Sequence, residues 1–231
     1  MEIKIPDFAL VLLIGPSGSG KTHFANNFFA SAEILPQQQF QDMLSDDGSD
    51  ENLHGEALKL MYQAIELRLK YRKTCVVDAE LLTQESRKEL RRLFRKYHAK
   101  VISIVFTANA KICLERNASR PDSDSRTQLV RSQIGRMERI PKELEEEGFK
   151  TRFLVGPENE DLHVVRTRMR SDFRHEQGPF DIVGDVHGCF EELVKLLQEL
   201  GYVVEQVESK LEIGPNYVVS APHGRRIVFV G

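Results

Sequence analysis

The stretch with the clearest chemistry in this chain runs from Gly15 to Thr22 and reads G-P-S-G-S-G-K-T. It satisfies the spacing G-x-x-x-x-G-K-[ST], in which small residues let consecutive backbone N–H groups surround a polyphosphate. We expect Lys21 to reach the outer phosphates and the Thr22 hydroxyl to complete the shell of a Mg²⁺ ion. The remaining members of this phosphate-binding loop are expected to line the nucleotide phosphates: Ser17, Gly18, Ser19 and Gly20. The pattern predicts binding of a nucleoside di- or triphosphate.

A carboxylate and two arginines are the next candidates for the same site. Asp78 ends the apolar, β-branched run 74–78, which is typical of a buried parallel strand with an acid at its carboxyl end. We expect Asp78 to bind the magnesium through water or to orient the acceptor. Arg116 and Arg120 share one face of an expected helix, from which they could close over a transferring phosphate. Taken alone, this spacing favours a solvated helix face.

These residues need a sheet that presents them at one edge. The apolar run 8–14 predicts a strand before the loop, and a helix over 22–30 is expected after it. Apolar strands at 74–78, 101–106 and 153–155 then alternate with helices expected from Gly55 and over 83–97, 111–120 and 127–147. Alternation of this kind predicts an α/β fold, a parallel sheet flanked by helices, with ligands at the carboxyl ends of the strands.

Composition limits the classes of partner. The chain has 231 residues, 41% of them hydrophobic, and a formal net charge of -3, so nucleic-acid contact would need a local basic patch. Between Arg87 and Lys100 there are seven Lys or Arg and one acid, Glu89. We favour a solvated helix exterior here, with contact to nucleic-acid phosphates as the alternative.

The compartment and the redox state follow from what the sequence lacks. It shows no apolar run long enough for a bilayer and no secretory signal, which predicts a cytoplasmic protein without membrane contact. The odd number of cysteines and their wide spacing fit neither a disulfide framework nor a zinc site. We expect buried free thiols at Cys75, Cys113 and Cys189.

The composition changes at residues 166–179, a polar stretch that we expect to link a first domain at 1–165 to a second segment at 180–231. The second segment opens with an apolar strand that leads into Gly184-Asp185-Val186-His187-Gly188. Asp185 and His187 are expected to ligate a transition metal. Two ligands do not hold a metal pair, so we expect no phosphatase activity from this segment alone. We expect His223 to be a turn residue.

These motifs resemble the bacterial polynucleotide kinase-phosphatase of RNA repair. The phosphate-binding loop, Ser45-Asp46-Asp47, Val76-Val77-Asp78-Ala79, the stretch 113–120 and the Gly184 to Gly188 motif carry the resemblance, which covers nearly the whole chain. It implies a P-loop NTPase-type kinase domain that uses ATP and Mg²⁺ on the 5′-hydroxyl ends of RNA. It also implies a truncated α/β metallophosphoesterase segment that would use Mn²⁺ or a similar divalent pair, with a ligase-like domain beyond. Lys21 and Thr22 take the family's phosphate and magnesium roles, and Arg116 and Arg120 those of its lid arginines.

Two positions depart from the family. Where it has an aspartate as general base and, three residues on, an arginine that holds the acceptor's phosphate, this chain has Gln38 and Gln41. Glutamine cannot take a proton at neutral pH, so Asp42, Asp78 or Glu80 would have to serve as the base. Three interpretations stay open: a polynucleotide 5′-kinase of reduced activity, a degenerate kinase domain that binds nucleotide or RNA, and a small-molecule kinase of the same fold.

Overall fold

The computed structural model describes residues 1–45, 53–107, 109–119, 123–156, 161–169, 172–207 and 216–230. The chain divides into two compact units, Met1–Met169 and Arg170–Gly231. No described helix has the length and apolarity needed to cross a membrane.

The first unit alternates strands with helices. Its strands are β1 (Glu2–Pro6), β2 (Ala9–Ile14), β3 (Ile34–Pro36), β4 (Cys75–Asp78), β5 (Lys100–Phe106), β6 (Thr151–Val155) and β7 (His163–Thr167). Its helices are α1 (Lys21–Phe28), α2 (Gln37–Ser45), α3 (His54–Lys70), α4 (Gln84–Tyr97), α5 (Ala110–Ala118), α6 (Ser123–Arg136) and α7 (Ile140–Glu146). The predicted α/β fold with a parallel sheet flanked by helices is confirmed.

A five-stranded parallel sheet in the order β3-β4-β2-β5-β6 carries the candidate site. Every residue of β2 is buried, because the strand is apolar along its whole length and lies between two layers of helices. Leu13 in β2 and Pro36 in β3 are both aligned with Asp78 in β4. The loop after β2, the acid of β4 and the start of α2 therefore lie at the same carboxyl edge of the sheet.

The helix expected over 127–147 is instead two helices, α6 and α7. The break follows from Pro141, which lacks a backbone N–H and is tolerated only in the first turn of a helix. Tight turns close the junction, with the amide of Arg139 donating to the carbonyl of Arg136 at 3.1 Å. As a result, α6 ends at Arg136 and α7 begins at Ile140.

Four elements of the first unit were not predicted: α2, β1, β3 and β7. Helix α2 buries only Phe40, so its apolar stripe is too narrow to read from periodicity. Strands β1 and β7 form a separate two-stranded parallel sheet, to which β1 contributes the buried Ile3 and Ile5. Strand β7 includes Arg166 and Thr167, which the sequence had placed in the linker.

The basic run on α4 is mostly exposed, as expected, and Arg87 is the exception. Arg87 is fully buried and binds the carboxylates of Glu143 and Glu147. Its neighbours along α4 form exposed ion pairs with acids of α3 and α4: Lys88 with Glu85, Arg92 with Glu89, and Lys96 with Glu66. Arg87 is therefore not part of a basic surface. Most of the acids that pair with the basic residues of 87–100 lie outside that stretch of the sequence.

The second unit contains β8 (Phe180–Val183), α8 (Phe190–Glu199), β9 (Val203–Val207), β10 (Asn216–Ser220) and β11 (Arg226–Phe229). Strand β8 pairs with β11 in parallel, and β9 pairs with β10 antiparallel. Hydrogen bonds from Arg225 and Tyr202 lower the pKa of Asp181, in β8, to about 2. Cys189 in this unit is exposed, so the expectation of a buried thiol is wrong there, whereas Cys75 and Cys113 are buried.

Candidate functional site

The phosphate-binding loop joins the end of β2 at Ile14 to the start of α1 at Lys21. Gly18 and Gly20 have φ values of +81° and +100°, which favour glycine. A Cβ on Gly18 would lie 2.9 Å from the carbonyl oxygen of Cys113, so the loop backbone packs directly against α5. The Ser19 hydroxyl is buried and has no hydrogen-bond partner among the described residues. A cradle of this shape, with a buried donor to spare, fits phosphate oxygens.

Lys21 is held inside this loop. Its side chain is buried, and its ammonium group donates to the carbonyl oxygens of Gly15 at 2.8 Å and Pro16 at 3.0 Å. A buried ammonium on neutral carbonyl oxygens can exchange these contacts for charge-assisted ones to phosphate, which are stronger. The loop therefore places one positive charge where a polyphosphate would need it.

Thr22 and Asp78 form the second part of the site. The Thr22 hydroxyl donates to a carboxylate oxygen of Asp78 at 2.7 Å. The contact follows from the topology because β2 and β4 are neighbouring strands. Thr22 lies in the first turn of α1, directly after the loop that follows β2, and Asp78 is the last residue of β4, so both lie at the same edge of the sheet. A hydroxyl and a carboxylate side by side are the protein oxygens that hold Mg²⁺ at nucleotide phosphates. The residues present thus fit the expected ion.

Two residues from the helices after β5 contact the loop. Arg116 of α5 donates from Nη1 to the carbonyl oxygen of Gly18 at 3.0 Å. Gln133 of α6 accepts from the backbone amide of Ser17 at 2.8 Å and is almost fully buried. Sequence reasoning missed Gln133, although Val130 one turn earlier shares its buried face. Arg120 lies outside the described residues.

The opposite side of the site is formed by α2 and the start of α3. Gln38 donates to a carboxylate oxygen of Asp42 at 2.9 Å, and the Gln41 amide lies 2.8 Å from Nδ1 of His54. His54, which sequence reasoning also missed, adds an exposed imidazole next to the two glutamines. The carboxylate of Asp42 is likewise exposed, as is Glu80 after β4. Asp46 and Asp47 lie outside the described residues.

The pair expected to bind a metal in the second unit lies together. Nε2 of His187 is 3.0 Å from a carboxylate oxygen of Asp185, and both side chains are exposed. His187 has a positive φ of +43°, and Gly188 follows at +83°. In the part of the chain that the structure describes, no group of three or more His, Cys, Asp or Glu could hold a metal. The metal role of this pair stays a prediction. His223 lies in the turn before β11.

Comparison with known proteins finds relatives of the first unit. Residues 10–144 match a family described as an AAA domain. A chain of the Pnkp1/Rnl/Hen1 RNA repair complex superposes with a TM-score of 0.50 at 17% identity, covering 78% of this chain and 57% of that one. A sugar kinase from Janibacter sp. HTCC2649 superposes with a TM-score of 0.44 at 17% identity, covering 64% of this chain and 84% of that one. Identities this low show the fold alone.

A shorter match concerns curated enzymes. The asymmetrical bis(5′-nucleosyl)-tetraphosphatase PrpE of Anoxybacillus flavithermus is 44% identical over 52 residues, which are 22% of this chain and 17% of that enzyme. PrpE of Halalkalibacterium halodurans is 40% identical, also over 52 residues. The chain therefore spans about a sixth of the length of the curated relatives it matches.

Proposed function

This chain belongs to the AAA domain family, and we propose that its P-loop kinase-like first unit transfers the γ-phosphate of ATP to the 5′-hydroxyl end of a nucleic acid, RNA in the first place. The observation that carries the proposal is the 2.7 Å contact of Thr22 with Asp78 beside the buried ammonium of Lys21. A hydroxyl, a carboxylate and an ammonium group at one edge of the sheet are what a metal-bound polyphosphate requires.

Each residue has a role in a loose phosphoryl-transfer transition state, whose charge is spread over the equatorial oxygens. Mg²⁺, when bound, neutralises charge on the phosphate oxygens. Thr22 and Asp78 hold that ion, and Lys21 with the amides of the loop binds the phosphates. Arg116, which already contacts the loop at Gly18, stabilises the transferring group together with Arg120. Positioning and electrostatic stabilisation therefore supply most of the rate.

The acceptor side supports a kinase of reduced rate. Gln38 and Gln41 bind the acceptor through hydrogen bonds, and neither can take its proton. Asp42 and His54, which are hydrogen-bond partners of these glutamines, can accept a proton and stand beside them. Loss of a general base typically costs about 10² to 10⁴ in rate. A loose transition state needs little proton removal early on, so transfer persists at a lower rate.

The same two glutamines favour a second candidate function. A domain that binds nucleotide or RNA without transferring phosphate would need the loop contacts but no acceptor base. The hydrogen bonds of Gln38 to Asp42 and of Gln41 to His54 fill the acceptor side with polar contacts, which is compatible with binding alone. The two candidates differ in one outcome, transfer of phosphate.

We further propose that the second unit begins a calcineurin-like metallophosphoesterase, in which Asp185 and His187 ligate one of two Mn²⁺ or similar ions. The support is the Gly184 to Gly188 motif after β8, together with the similarity to a tetraphosphatase over 52 residues. Two ligands do not complete such a site. The remaining ligands, and a ligase-like domain, would belong to other parts of the full enzyme.

The test follows transfer of labelled γ-phosphate from ATP to a single-stranded RNA with a 5′-hydroxyl. A matched RNA whose 5′ end already carries phosphate serves as the blocked acceptor, and Lys21→Ala as the loop control. We expect label on the first RNA only, and none with the variant. Binding of ATP without transfer to any 5′-hydroxyl end would refute the kinase and support the binding module.

A further inference from the structure

A basic cleft lies at the junction of α6 and α7, outside the residues assigned so far. Gly135, Arg136, Arg139 and Glu143 line a surface cavity of about 270 Å³. A Cβ on Gly135 would meet nothing within 4 Å, so the backbone leaves this side open. The volume is below the range of drug-sized pockets and suits one phosphate-bearing unit of a longer ligand.

Hydrogen bonds on both sides place this cleft at the carboxyl edge of the sheet. Gln133, three residues or about 4.5 Å of helix before Arg136, holds the amide of Ser17 in the phosphate-binding loop. On the other side, Glu143 accepts from Arg87 at 2.8 Å. Arg87 in turn donates to the carbonyl oxygen of Leu81, in the segment that follows Asp78. The cleft thus lies between the loop after β2 and the loop after β4.

The two arginines of the cleft carry charge that no described acid neutralises. Neither Arg136 nor Arg139 forms an ion pair within the part of the chain that the structure covers, and both are exposed. Glu143, the acid in the cleft, is already paired with the buried Arg87. Three cations of α4 differ, since Lys88, Arg92 and Lys96 are each paired with an acid. Arg91 and Arg95 of the same helix form no ion pair among the described residues and therefore serve as a comparison. A planar guanidinium group can donate two parallel hydrogen bonds to the oxygens of a phosphate. Two exposed arginines that line one cleft are therefore suited to bind a phosphate.

We infer that Arg136 and Arg139 form a subsite for a backbone phosphate of the nucleic-acid strand whose 5′ end enters the site. The inference rests on the proposed function and adds to it the surface that recognises a polyanion. Helix α2, on the acceptor side, contains no Lys or Arg, so the strand needs its cations from another element. The nucleotide's own phosphates are accounted for by the loop and Lys21. The ligand is therefore the strand, and not ATP.

The test measures binding of a labelled, single-stranded 5′-hydroxyl RNA to the 231-residue chain by fluorescence anisotropy over a range of salt concentrations. Each phosphate contact on a single strand contributes about 0.7 to the slope of log K against log salt. The R136A/R139A variant is expected to lower that slope by about 0.7, the contribution of the one phosphate that the two arginines bind, and to leave ATP affinity unchanged. R136K/R139K, which keeps the charge, is expected to retain most of the slope.

The matched control is R91A/R95A, two cations of the second half of α4, which runs toward the start of β5 at the opposite edge of the sheet. An unchanged slope in R136A/R139A, or an equal loss in R91A/R95A, would overturn the subsite. A parallel loss of ATP affinity would assign the arginines to the nucleotide and overturn it too. If the wild-type chain does not bind RNA, the proposed function fails together with the subsite. A slope that falls as expected in a chain without transfer activity would refute the kinase alone.

Discussion

Replacing Arg87 with methionine is expected to lower the free energy of unfolding of the first unit by about 3–5 kcal/mol. The Arg87 side chain has no exposed surface, and it donates to Glu147 at 3.1 Å, to Glu143 at 2.8 Å and to the carbonyl oxygen of Leu81 at 2.7 Å. Methionine would fill much of the aliphatic volume. The carboxyl group of Glu147, whose side chain is only 3% exposed, would lose the cation that compensates it in the interior.

A matched variant separates burial from ion pairing. Arg92 makes the same kind of two-contact pair with Glu89, at 2.9 and 3.0 Å, but its side chain is 52% exposed. Since exposed pairs contribute about 0–1 kcal/mol, Arg92→Met is expected to cost no more than that. The double variant R87M/E147M is expected to recover part of the loss, because it removes the uncompensated charge as well.

The assay must report on the first unit alone, because a chain of two units need not unfold in one transition. Hydrogen exchange of peptides from α4 and α7 in increasing urea gives that local free energy. Equal costs for Arg87→Met and Arg92→Met would refute the reasoning, since they would show that the buried charge of Glu147 does not need Arg87.

Three further predictions concern the loop and a buried thiol. Thr22→Val is expected to lower the affinity for ATP with Mg²⁺ at least roughly tenfold, or about 1.4 kcal/mol, while Thr22→Ser retains it; calorimetric titration with and without Mg²⁺ checks this. Gly18→Ala is expected to lower ATP affinity by a similar factor, because the φ of Gly18 is +81° and the new Cβ would meet the backbone of α5. In the control Gly55→Ala the new Cβ would meet no atom within 4 Å, so ATP affinity is expected to stay unchanged. Burial raises the pKa of the Cys75 thiol from 9.0 to about 11. The thiol is protonated in both states below pH 9, and between pH 9 and 11 only the unfolded chain loses the proton. The advantage of the wild type over Cys75→Ala is therefore expected to shrink over this range by about 1.4 kcal/mol per pH unit in urea titrations, and a constant difference would contradict it.

Much of the fold and the core of the site could be predicted from sequence because local patterns determine them. The apolar strand β2, the small residues of the loop and the acid at the end of β4 are each legible in a few consecutive residues. Parallel strands then bring Thr22 and Asp78 together, since the carboxyl ends of such strands meet at one edge. Prediction succeeded where one strand or one turn carried the signal.

The misses arose from partners distant in sequence. The sequence suggests a surface cation at Arg87 because its ion-pair partners, Glu143 and Glu147, lie 56 and 60 residues away. Gln133 looked like any polar residue of a helix, and its contact with Ser17 spans 116 residues. His54 is next to Gln41 only because α2 turns back against α3. Contacts of this kind follow from the tertiary fold, which periodicity and composition do not encode.

The central claim is most directly tested by offering labelled ATP to an equimolar mixture of acceptors and identifying the product. The mixture contains a 5′-hydroxyl RNA, a 5′-hydroxyl DNA of the same sequence and a set of small sugar and nucleoside hydroxyl compounds, with Lys21→Ala as the control chain. We expect label at the 5′ ends of the nucleic acids, with RNA ahead of DNA, and no label in the control. Label on a small compound in place of the nucleic-acid ends would contradict it and assign the site to a small-molecule kinase.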